Sequence, residues 1–96
     1  MKTIYKYPVE LKDISKRTLP AGSKIISVAV QGMEIVLYAL VDPEIKEKMV
    51  FSVLVLGTGH EIPFDLNEYT FLGTVSLSDG LLMFHIYYKL DKYLPG

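Results

Sequence analysis

The apolar residues of this chain come in short runs, and turn-forming residues punctuate every run. The longest unbroken one, Ile35–Val41, is seven residues. That is far short of the roughly 20 that a membrane helix needs. It is also rich in Ile, Val, Leu and Tyr, which favours a buried strand over a helix. Helix-like composition occurs only at Pro43–Lys48, with Asp42 placed to cap one or two turns and Pro43 at the first helical position. A chain patterned in this way is confined to an all-β fold.

Read in order, Thr3–Tyr7 alternates as a first strand, which Pro8 stops. Val9–Ile14 continues the alternation. A short edge strand follows at Lys16–Leu19, where polar side chains protect open hydrogen-bonding groups. Leu19-Pro20-Ala21-Gly22-Ser23 is a turn. Lys24–Gln31 alternates with Ile26, Val28 and Val30 on one face. Gln31-Gly32-Met33-Glu34 is a tight hairpin leading into Ile35–Val41. Met49–Leu56 is the most apolar strand, with Phe51, Val53 and Val55 on one face and Ser52, Leu54 and Leu56 on the other. After the connector Phe64–Glu68, Tyr69–Leu77 is a strand in which Gly73 marks a bulge or a close backbone approach. Ser78-Asp79-Gly80 turns the chain into Leu81–Leu90, and Asp91–Gly96 reads as a frayed tail. Six or seven strands with hairpin-length links predict an antiparallel β-sandwich or small barrel, a single β-rich domain over residues 1–96 with at most one short helix.

Composition narrows the function. Half of the 96 residues are hydrophobic. A domain of this size buries only about 60–65% of the surface its unfolded chain exposes, so a second copy or a partner is expected to cover part of the rest. The ten Lys and Arg are scattered against eleven Asp and Glu. No basic face for duplex nucleic acid is therefore expected. There is no signal-peptide block and no cysteine. A reducing cytoplasm suits such a chain, and thiolate metal sites and cysteine nucleophiles are excluded. The two histidines, His60 and His85, lack metal-ligand spacing, so no metal or cofactor is expected. His85, sharing a face with Met83 and Tyr87, reads as a hydrogen-bonded strand histidine. No serine sits in a Gly-x-Ser-x-Gly elbow, and catalysis is not expected.

The candidate site is Gly57-Thr58-Gly59-His60-Glu61-Ile62-Pro63, directly after the most apolar strand. Its glycines allow backbone N–H groups to converge on an anion, with the Thr58 hydroxyl and His60 assisting. The plain alternative is a sharp exit from a buried strand with a solvated histidine. Seven tyrosines and no tryptophan supply amphipathic rings for an interface or a stacked base; Tyr38 and Tyr87 are the candidates for the stacking role. Cross-strand aromatic pairing would account for them equally.

The segments Met1–Pro8, Leu19–Gly22, Tyr38–Pro43 and Gly57–Pro63, followed by Phe71–Thr74 and Phe84-His85, together resemble a family of small proteins that carry a domain of unknown function. Its members occur in phages, prophages and bacteria. Glu34-Ile35-Val36 departs from the more polar segment common in that family, which puts a shared pocket or partner surface in doubt there. The resemblance implies a phage accessory protein rather than a metabolic enzyme, and supplies no catalytic residues. By analogy, such a protein acts in the host cytoplasm against host immunity. The expectation is a non-enzymatic homo-oligomer that sequesters a small, anionic, nucleotide-like signal at Gly57, Thr58, Gly59 and His60. A protein–protein inhibitor of a host defence protein is the alternative, followed by a small hydrolase and a virion or regulatory component.

Overall fold

A computed structural model describes residues 1–96. Seven strands form two antiparallel sheets. β1 (Thr3–Val9), β4 (Glu34–Val41) and β3 (Lys24–Gln31) make one sheet, in the order β1-β4-β3. The other contains β2 (Ile14–Pro20), β5 (Lys48–Gly57), β7 (Leu82–Leu94) and β6 (Thr70–Leu77), in the order β2-β5-β7-β6. The Cα extents, 40 × 29 × 16 Å, have a short axis that suits two layers about 10 Å apart. The expected β-sandwich is therefore what the chain forms.

Its core lies between the layers, where alternation puts one face of each strand. Ile35, Leu37, Ala39 and Val41 of β4 meet Met49, Phe51, Val53 and Val55 of β5, with Leu19, Ile25, Val75 and Ile86 filling between them. Tyr88 packs on this core, its ring edge-on to Phe51 with centroids 6.0 Å apart.

Several boundaries differ from expectation, each for a local reason. Pro8 does not end β1; it pairs opposite Val36, and a missing N–H is tolerated because β1 is an edge strand. In β3 the register shifts between Ile25 and Ser27. Ile25 is thereby buried and Ile26 is left 41% exposed, so Ile26 does not share the inward face of Val28 and Val30. Pro43–Lys48 forms no helix. Asp42 Oδ1 accepts from the Glu44 N–H at 3.1 Å and its carbonyl from the Ile45 N–H at 3.2 Å, closing one turn. The one helical segment is a 3₁₀ turn at Leu66–Glu68, inside the connector, capped by Asp65. The last strand does not fray after Leu90 but runs to Leu94. A bulge at Asp91 resets its pairing with β5, so Tyr93 and Leu94 lie opposite Met49 and Lys48.

Hairpin-length links also hide sheet changes. Only β3–β4 and β6–β7 are hairpins between sheet neighbours; β1 to β2, β2 to β3 and β4 to β5 pass from one sheet to the other. β5 and β6 both run antiparallel to β7, which lies between them. They are therefore parallel, and residues 58–69 must cross over β7 on the outer face. This crossing accounts for a strand buried on both sides: Leu54 and Leu56 point away from the core yet are 0% and 5% exposed.

A polar cluster ties three strands together on that same face. Asp91 Oδ2 accepts from Lys16 Nζ at 2.7 Å and from Ser52 Oγ at 2.6 Å, while Lys16 Nζ also donates to Ser52 Oγ at 2.6 Å. Burial by itself would raise the Asp91 carboxyl. The hydrogen bonds from Lys16 and Ser52, with the charges of Lys16 and Lys89, outweigh it and hold the group below the usual carboxylate value. A carboxyl depressed in the folded state stabilises the fold above its unfolded value and loses that contribution as pH falls through the folded one. Asp91→Asn is expected to lower the melting temperature at neutral pH and to flatten its decline below about pH 4; thermal melts from pH 2 to 7 check this. Ser15 is the opposite case, buried with its hydroxyl unpartnered. Such a group costs about 1–3 kcal/mol, so Ser15→Ala is expected to stabilise the protein by about 1 kcal/mol in urea unfolding.

Candidate functional site

The Gly57 loop leaves the end of β5 and folds back over the outer face of the four-stranded sheet. Two backbone bonds shape its exit. The Thr58 N–H donates to the Met83 carbonyl and the His60 N–H to the Gly57 carbonyl, both at 3.2 Å. The His60 ring then lies over Gly57: a Cβ there would stand 2.7 Å from His60 Nδ1. Glycine at 57 thus provides the ring's seat, while Gly59, at φ +84°, supplies the left-handed residue of the turn.

His85, on β7 beneath this loop, is held at both ring nitrogens. Nε2 lies 2.7 Å from Thr58 Oγ1 and Nδ1 lies 3.0 Å from Thr74 Oγ1 of β6. A threonine hydroxyl can donate or accept, so both neutral tautomers are satisfied. The histidine joins the loop, β7 and β6 through one ring. This fits the expectation of a hydrogen-bonded strand histidine. Thr74, however, was not foreseen, because its partnership depends on β6 lying beside β7.

Two hollows of about 340 Å³ each flank Thr58 and His60. One is walled by Leu56, Ile62, His85 and Tyr87. The other, on the far side of the loop, is walled by Leu81, Leu82, Met83 and Phe84. Gly57, Thr58, Gly59, His60 and Tyr87 are thus brought together. Tyr38 is not: it alternates with the core residues Leu37 and Ala39 and pairs with Lys6 and Ser27, which puts it on the outer face of the three-stranded sheet. The whole thickness of the sandwich separates it from the loop. The aromatic neighbour of Tyr87 is instead Phe71, with ring centroids 5.2 Å apart.

The phosphate cradle expected at Thr58-Gly59-His60 is altered by this geometry. The N–H groups of Thr58 and His60 are taken up within the protein, leaving those of Gly59, Glu61 and Ile62 without an acceptor. No lysine or arginine lines either hollow. Lys12 stands near His60 in a smaller recess beyond, where it pairs with Glu10 at 3.3 Å and shares the recess with Asp13. The site offers an aromatic and aliphatic wall with neutral polar groups rather than concentrated positive charge.

Two side-chain groupings invite a catalytic reading. Thr58 Oγ1 and His85 Nε2 have the spacing of a nucleophile and its base. The base is oriented by a hydroxyl rather than a carboxylate, and neither adjoining hollow holds a lysine or arginine to stabilise an oxyanion. In the Lys16–Ser52–Asp91 cluster, Ser52 is 1% exposed and its oxygen already accepts from an ammonium, so it is no available nucleophile. No three His, Asp or Glu side chains are grouped to hold a metal ion, and no helix is long and apolar enough to cross a membrane.

The chain belongs to the family described as Domain of unknown function (DUF7352), whose model matches residues 1–94. No curated protein and no solved structure gave a match.

The seat of His60 is open to test. A Cβ at Gly57 meets only the end of a flexible, exposed side chain. Gly57→Ala is therefore expected to displace the His60 ring with less than about 1 kcal/mol lost. Histidine side-chain NMR should show His60 shifting while His85 stays in place; an unmoved His60 would contradict the packing described.

Proposed function

We propose that this DUF7352 member is a non-enzymatic binding protein that captures a small nucleotide-like signal beside the Gly57–Pro63 loop. The observation that carries the proposal is the hollow lined by Leu56, Thr58, His60, Ile62, His85 and Tyr87. Its volume lies within the range of small-molecule sites, and a few polar groups converge on an otherwise apolar wall. A heteroaromatic base stacks on Tyr87, extended by Phe71, while the histidines and the free Gly59 N–H meet its polar edge or the adjoining sugar and phosphate. The shortage of cationic groups favours a ligand recognised chiefly through its base and sugar.

The wider setting rests on the family resemblance to small phage and prophage proteins. It supports a phage accessory role in the host cytoplasm, directed against host immunity by withholding a signal rather than destroying it.

A second reading draws on a different observation. Ile62, Leu81, Leu82 and Met83 are 49%, 84%, 47% and 39% exposed around the same loop. Such a rim suits a protein–protein inhibitor that seats a host defence protein there.

Native mass spectrometry with a panel of cyclic and ADP-ribose-type nucleotides separates these readings. Sequestration predicts a stoichiometric adduct of unchanged ligand mass, recovered intact on denaturation. His60→Ala and Tyr87→Ala should each weaken it at least tenfold. Hydrolysed ligand would overturn the non-enzymatic proposal. Absence of any adduct, with a host protein retained by wild type but not by a Leu81→Asp, Met83→Asp variant, would move the function to the second reading.

A further inference from the structure

Each sheet ends in strands whose outer N–H and C=O groups lack a strand partner, and the four edges are guarded unequally. β1 carries Lys6 and Pro8; β2 carries Lys16, Arg17 and Pro20. β3 begins with Lys24 and is broken by its bulge at Ile26. Charges, prolines and bulges are the ordinary means by which an edge is kept from pairing with another chain. β6 has no charged residue and no proline from Thr70 to Leu77. Its bulge falls early, between Phe71 and Gly73, and leaves Gly73–Leu77 in unbroken register with Ile86–Leu82.

We infer that β6 is a self-pairing edge, through which two copies of this chain join antiparallel about Val75. An antiparallel pair of identical strands obeys a two-fold axis, so one surface serves both copies. Centring on Val75 uses the whole regular run. It sets Thr74 opposite Ser76 of the second copy on the outer face, a hydroxyl pair of the kind favoured across strands. On the inner face it sets Gly73 opposite Leu77 of the second copy, so the larger side chain meets the smallest residue. A shift of one residue would oppose side chains of unlike faces.

Joining in this way merges two four-stranded sheets into one of eight, with both copies of His85 on the same outer face. The two β7 strands then stand three interstrand spacings apart, roughly 14 Å. Thr74, which holds His85 Nδ1, lies on the seam itself.

The test is native mass spectrometry and light scattering of the full chain over a range of concentrations, alongside Ser76→Lys. Ser76 is exposed on the outer face, so the lysine reproduces the guard found on the other edges. A wild-type dimer weakened at least tenfold by Ser76→Lys, with an unchanged circular dichroism spectrum, is expected. The chain has no cysteine, so Ser76→Cys supplies a single thiol. Its two copies would lie diagonally across the seam, roughly 8 Å apart, and a short bis-maleimide should join them in high yield. A monomeric wild type would overturn the inference, as would a dimer indifferent to Ser76→Lys. Should Ser76→Lys fail to fold, absence of Ser76→Cys crosslinking in a dimeric sample would overturn it equally.

Discussion

Burial of β5 on both faces is the constraint on which the rest of the molecule depends. A strand in a two-layer sandwich needs only one apolar face. β5 has Met49, Phe51, Val53 and Val55 toward the core and Val50, Leu54 and Leu56 away from it, all of them buried. That second apolar face requires a cover, and the residue 58–69 crossing provides it at the C-terminal end of β5, where Leu56 lines a hollow with His60 and Ile62. The tie at Lys89 shows the crossing seated: its ammonium lies 3.5 Å from Glu68 Oε2 and 5.0 Å from the Tyr69 ring centroid. The loop that bears the candidate site is thus a structural lid as well. Its position follows from hydrophobic burial, and its chemistry is placed on the sheet by the same contacts.

His85 shows how this placement is refined. A threonine on the crossing and another on β6 grip one ring from opposite sides. The imidazole therefore adds a side-chain tie among the loop, β7 and β6, beyond the β6–β7 ladder and the Thr58–Met83 backbone bond. Either hydroxyl could be replaced by a water, but only at the expense of the fixed angle between the loop and the sheet. The ring supplies one wall of the hollow near Tyr87, so recognition and loop position are coupled.

Much of this was legible in the residues. Alternation located all seven strands, and the apolar run at 49–56 located the most buried one. Tyr87 and Tyr88 fall on opposite faces, as a period of two requires. Two of the misreadings share one cause: alternation holds only until a bulge resets it. Ile26 lost its inward place to Ile25 in this way, and Asp91, read as the start of a loose tail, is the bulge that lets β7 continue. Tyr38 was assigned by residue type without a sheet to stand on; its neighbours Leu37 and Ala39 face the core and turn it outward on the far layer. The partnership of Thr74 with His85 is fixed by strand order, which no local pattern carries. The crossover was hidden for the same reason, since residues 58–69 could have led to a neighbouring strand. Membership in a domain family of unknown function agrees with the resemblance to a family of that kind.

The strand order also governs when the molecule can come into being. β7 lies between β5 and β6, although it follows both in the chain. Until residues 82–94 have been synthesised, β5 has no partner on one side and β6 has none at all. The nascent chain must therefore carry its most hydrophobic strand half-paired from residue 57 until residues 82–94 emerge. Such late, non-local closure implies slow folding for so small a domain, and a window in which the emerging polypeptide depends on chaperones or on speed of translation to avoid aggregation.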